Sequence, residues 1–111
     1  MSRALLGLAA EVMTLCLNCT QSDGCSGDVS RETFHVPIGR CFSPPKLFPG
    51  SKAWGASDTL DICSGNVSVK RTFYASTDGS CTNETDSYTL DTGVCLGPFG
   101  MPRPWGVFTC P

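Results

Sequence analysis

The clearest periodicity lies in "NVSVKRTFYA", residues 66–75, where Val67, Val69, Arg71 and Phe73 alternate with Ser68, Lys70, Thr72 and Tyr74. β-Branched and aromatic residues alternating in this way predict a half-buried strand, and "STDGS" supplies the turn that follows. "RETFHV", "SYTLD" and "WGVFTC" carry shorter versions of the same pattern and predict further strands. Twelve glycines and eight prolines, most of them after residue 36, leave no room for a long helix. The predicted class is small and mainly β, with short strands and long Pro/Gly loops.

The opening "MSRALLGLAAEVMTLCLNCT" does not follow that pattern. Arg3 precedes a mostly apolar run from Ala4 to Leu17, interrupted by Glu11. Residues 1–20 read as a signal peptide or apolar N-terminal segment. The alternative is an amphipathic helix with Leu5, Leu8, Val12 and Leu15 near one face. Residues 21–111 then form a single cysteine-rich β module.

That module says one thing twice. "DGCSGDVSRETFHVPIGRC" and "DGSCTNETDSYTLDTGVC" both start with Asp-Gly, reach a cysteine, pass through an aromatic-bearing strand pattern and end Gly-x-Cys. Each leads into a Pro-rich segment ending Trp-Gly, "CFSPPKLFPGSKAWG" and "CLGPFGMPRPWG", then an apolar run closing on cysteine. Two related copies are expected in one compact module: residues 23–63 and 78–110, joined by a linking strand at 64–77.

Eight cysteines in 111 residues imply metal ligands or disulfides. One histidine, His35, and one close pair, Cys16 and Cys19, are too few for the usual zinc patterns, so disulfides are expected and no cofactor. Cys25, Cys41 and Cys63 fall in the first copy; Cys81, Cys95 and Cys110 fall in the second. Six cysteines allow fifteen pairings. One symmetric choice among them is Cys41–Cys63 and Cys95–Cys110, with Cys25–Cys81 crossing. Asn18, Asn66 and Asn83, the only asparagines, each open a glycosylation sequon, which points with the cysteines to a secreted or extracellular protein.

Charge excludes more than it suggests. Eight basic and ten acidic residues, without a basic run, give nucleic acid nothing to follow. No stretch has the roughly 20 apolar residues that span a bilayer. No Gly-x-Ser-x-Gly elbow accompanies His35, and Asp58, Asp61, Asp86 and Asp91 read as solvated loop carboxylates, so no enzyme is expected. "LCLNCTQSDGC" resembles the opening of a three-finger domain, but "FTCP" lacks that family's terminal cysteine pattern and the repeat has no place in it; the family is not assigned.

Pro-rich loops present side chains at low ordering cost, and tryptophan offers a flat apolar face with one donor. Trp54 and Trp105 are therefore the candidate contacts, with Lys46, Lys52, Arg103 and Met101 at the rim. The expected function is a secreted, N-glycosylated, non-catalytic binding or adhesion module for an extracellular glycan or protein. The alternatives are an inhibitor or toxin-like effector acting through one rigid loop, and a fragment of a repeated extracellular structural protein. In the opposing reading, both tryptophans only cover the core.

Overall fold

The computed structural model describes residues 10–16, 25, 31–97, 99 and 105–111. Six strands and one turn of helix follow in order: β1 (Ala10–Cys16), β2 (Glu32–Pro37), α1 (Pro44–Leu47), β3 (Thr59–Ser64), β4 (Ser68–Tyr74), β5 (Glu84–Asp91) and β6 (Trp105–Thr109). They form two antiparallel three-stranded sheets, ordered β2-β1-β6 and β3-β4-β5. The expected mainly-β class is found, and the strands predicted from alternation fall on β2, β4, β5 and β6.

β1 departs from expectation. Glu11, Met13 and Leu15 are buried while Val12 and Thr14 are less so, a period of two rather than 3.6. Within the segment expected as leader or helix, Ala10–Cys16 form a strand, the middle one of its sheet, and the rest of that segment lies outside the described residues. Any processing that leaves this sheet intact must cut before Ala10.

The chain changes sheets at its third strand. β1 and β2 form a hairpin, but β3 crosses to pair with β4; β4 and β5 form the second hairpin, and β6 crosses back to β1. Corresponding contacts recur. The Gly39 N–H donates to the Asp61 carbonyl at 2.7 Å, and the Gly93 N–H to the Phe108 carbonyl at 2.8 Å. Both glycines stand two residues before a cysteine, with φ of 72° and 74°, where a Cβ would be strained. Phe42 and Thr59 exchange two backbone hydrogen bonds, as do Leu96 and Gly106. Met13 lies opposite Phe108 in one sheet, and Arg71 opposite Asp61 in the other.

The bridges are Cys25–Cys95, Cys41–Cys81 and Cys63–Cys110. This corrects the pairing expected from the copies, in which Cys41 met Cys63, Cys95 met Cys110 and Cys25 met Cys81. The crossing of β3 and β6 carries their cysteines to each other, so every one of these three bridges joins residues 10–64 to residues 68–110. Exchanging Cys25, Cys41 and Cys63 for Cys81, Cys95 and Cys110 returns the same three bonds. Cys16 is disulfide-bonded as well, so the framework extends beyond those six cysteines.

One apolar core takes side chains from both sheets: Met13, Leu15, Phe34, Val36 and Phe108 from one, Val69 and Leu90 from the other, with Phe42 beside them. Burial of each large side chain contributes roughly 1.5–3 kcal/mol. A core this small makes the bridges, at roughly 2–4 kcal/mol each, a comparable contribution.

Candidate functional site

The Pro-rich segment after Cys41 folds inward. Pro44 sits at the start of α1, where a missing N–H costs nothing, and the helix ends after one turn. The chain then returns so that Trp54 stacks on Phe48, with centroids 5.0 Å apart and planes 16° from parallel. Phe34 and Phe42 meet its edges at 5.8 and 5.6 Å. The Arg71 guanidinium carbon lies 4.8 Å from its ring centroid. Both indole nitrogens, Trp54 Nε1 and Trp105 Nε1, are buried without a hydrogen-bond partner.

Arg71 explains the crowding. It projects from the buried register of β4, and Asp61 on β3 accepts two hydrogen bonds from it, from Nε at 2.8 Å and Nη2 at 2.7 Å. The same Nη2 reaches Met13 Sδ at 3.7 Å and lies 3.8 Å from a Glu11 oxygen. Glu11 and Asp61 are wholly buried. A bidentate pair is the geometry that best compensates desolvated charge. Glu11 completes the group differently. Burial first, and then the neighbouring Asp61, push its carboxyl up to about 9 despite the attraction of Arg71. At neutral pH it is protonated, and the trio carries no net charge.

Beside the trio the sheets do not close completely. A cavity of about 130 Å³ reaches Arg71 between Leu15, Trp54, Phe73, Tyr88, Phe99 and Phe108. A wider recess of about 470 Å³ adjoins it, lined among the described residues by Tyr88, Thr89, Leu90 and Phe99. Tyr88 and Phe99 belong to both, and Tyr88 is 38% exposed. The result is an aromatic cleft with an open mouth on β5. Glu84, Asp86 and Asp91 make that strand acidic, and it carries no basic residue.

The sequence candidates are not gathered at one place. Lys46 and Lys52 are exposed on the segment between Cys41 and Trp54. Trp54 lies against the inner end of the cleft, its ring between Phe48 and Arg71. Trp105 begins β6 and is half-buried. Met101, Arg103 and Asn18 lie outside the described residues. Asn66, in the β3–β4 turn, and Asn83, before β5, are exposed. Tyr88, Phe99, Arg71 and Glu11 were not named as site residues from sequence, and Asp58 and Asp61, read there as solvated loop carboxylates, are instead wholly buried. The available signal was Arg71 itself, an arginine on the apolar side of an alternating strand.

Other polar clusters are structural. Asp58 is buried and accepts from the Ser76 hydroxyl and the Gly79 and Cys81 amides. Burial pushes its carboxyl up, but those hydrogen bonds outweigh it and hold it below the ordinary 3.8. Cys41 and Cys81 lie near Asp58, but they are bonded to each other and cannot serve as thiolate ligands. His35 is exposed on β2. Among the described residues no helix is long and apolar enough to cross a membrane.

Compared with protein-family models, curated proteins and solved structures, the chain matches none.

Proposed function

We propose that the protein is a secreted, N-glycosylated, non-catalytic binding module built from two related copies, contacting an extracellular protein through the aromatic cleft. The observation that carries this reading is the cleft itself: aromatic walls, a part-exposed Tyr88 and a deep end held by a neutralised ionic trio. An apolar recess with a few convergent polar groups is the usual form of a binding site. Its walls offer few hydrogen-bonding groups, which suits an apolar side chain better than a sugar. Trp54 supports the cleft from behind and does not present its face.

The two-copy reading draws support from the recurring glycine and bridge-forming contacts and from the exchange symmetry of the cysteines. It extends each copy upstream by one strand, making β1 and β4 counterparts. The exposure of Asn66 and Asn83 supports glycan attachment there, and disulfides suit an oxidising compartment.

The test is expression of the full chain in a eukaryotic host. Intact mass before and after deglycosylation and reduction should show glycan and bonded cysteines in secreted protein. The labelled protein should bind cell surfaces or matrix, and Tyr88→Arg should weaken binding by about tenfold or more, as for a central contact. Retention inside the cell with free thiols, or binding indifferent to Tyr88→Arg, would overturn the reading.

A further inference from the structure

Phe34 and Tyr88 occupy corresponding places. Each lies on the second strand of its hairpin, seven residues before the cysteine of Gly-x-Cys. Each belongs to a register in which the residue two further on, Val36 or Leu90, is buried in the core. Their surroundings differ. Phe34 is buried because the chain folds its own aromatic rings over it: Phe48 edge-on at 5.2 Å and Trp54 edge-on at 5.8 Å. Tyr88 touches Phe73 at 5.6 Å and interacts with the Arg71 guanidinium, and its 38% exposed remainder faces the recess that, among the described residues, it shares with Phe99.

From this correspondence we infer that the Tyr88 recess receives an aromatic side chain of a partner protein, packed edge-on as Trp54 packs on Phe34, and flanked in that partner by a basic residue. This rests on reading the cleft as the contact surface and names what it takes. The filled side of the molecule shows which chemistry suits the open side: a T-shaped ring, the arrangement aromatic quadrupoles favour. The flanking charge follows from β5. Asp86 lies two residues from Tyr88 on the same side of the strand, with Glu84 and Asp91 near its ends, all exposed. A lysine or arginine beside the entering ring would meet acidic side chains, whereas a carboxylate would be repelled. Arg71 at the inner end does not reverse this preference, because Asp61 already holds it in a bidentate pair.

The experiment titrates the isotope-labelled full chain with three capped tripeptides, Lys-Trp-Lys, Lys-Leu-Lys and Glu-Trp-Glu, following backbone amides by NMR. Lys-Trp-Lys should shift the amides of Tyr88, Leu90 and Phe99. The other two should bind at least about fivefold more weakly, one for lack of a ring and one for charge. Tyr88→Ala should abolish the response. Asp86→Lys, an exposed change that leaves the core untouched, should reverse the order of the two tryptophan peptides. Equal binding of the leucine peptide, no shift at those amides, or a recess closed by residues 100–104 or by a second copy of the chain would overturn the inference. Cell-surface binding that survives while the tripeptides fail would sink this assignment and leave the broader reading standing. Tripeptide binding without any cell-surface or matrix partner would do the reverse.

Discussion

Taken register by register, the two halves of the molecule make matching backbone pairings and fill them with unlike side chains. Arg71 stands where its counterpart is Met13, Asp61 where it is Phe108, and Glu11 where it is Val69. Arg71 and Met13 touch each other, so the charged and apolar versions of one position meet in the middle of the core. The comparison teaches that the backbone pattern does not require the ions. An apolar set fills the same three places a few ångströms away, so the trio reflects a choice of side chains rather than a need of the fold.

The largest test of that comparison is Arg71→Met, which copies the apolar side into the charged one. Asp61 would be left buried and unpaired, and equilibrium denaturation should show a loss of about 3–5 kcal/mol. The triple change Glu11→Val, Asp61→Phe, Arg71→Met completes the copy. It should restore stability to within about 2 kcal/mol of the parent or exceed it. A triple variant as unstable as the single one would break the correspondence.

Next comes Gly106, whose counterpart is Thr59. A Cβ on Gly106 would meet the Leu15 side chain and lie 2.7 Å from the Thr14 carbonyl oxygen. Gly106→Ala should cost about 1–3 kcal/mol through overpacking, although its counterpart already carries a larger side chain. A neutral result would mean that both the Leu15 side chain and the β1 backbone at Thr14 can move aside.

The last test is pH dependence, whose effect accumulates gradually over several pH units. Glu11 is protonated in the fold up to about 9 but ionises near its ordinary 4.5 when unfolded. Its contribution is therefore complete below about 4.5 and is lost progressively as pH rises to about 9, at a slope of up to ~1.4 kcal/mol per pH unit. Asp58 acts oppositely: its lowered value stabilises the fold above the ordinary 3.8 and is lost as pH falls. Thermal midpoints should peak in mild acid and decline toward pH 9. In Glu11→Gln the decline should flatten; a decline of unchanged slope would remove Glu11 from the explanation.

The strands were largely legible because alternation reports burial directly, as Val69 and Arg71 show. β1 was not, because Glu11 looks like a break in an apolar run when its side chain is in fact buried, neutral and set beside Arg71. Bridge connectivity was illegible for a different reason. It depends on β3 and β6 changing sheets, a long-range event with no local mark in "TLDIC" or "WGVFTC". The cleft was half legible: the Trp54 segment was marked, but its partner Tyr88 sits in the weakly patterned "SYTLD".

The crossing bridges also set a timetable for synthesis. Cys25, Cys41 and Cys63 are synthesised before any of Cys81, Cys95 and Cys110, and each must find its partner 40 to 70 residues later in the chain. At about 5–20 residues per second, the early thiols wait several seconds in an unfinished polypeptide. Premature oxidation among them can only produce bonds that must be undone by thiol–disulfide exchange before the last strand can close the framework.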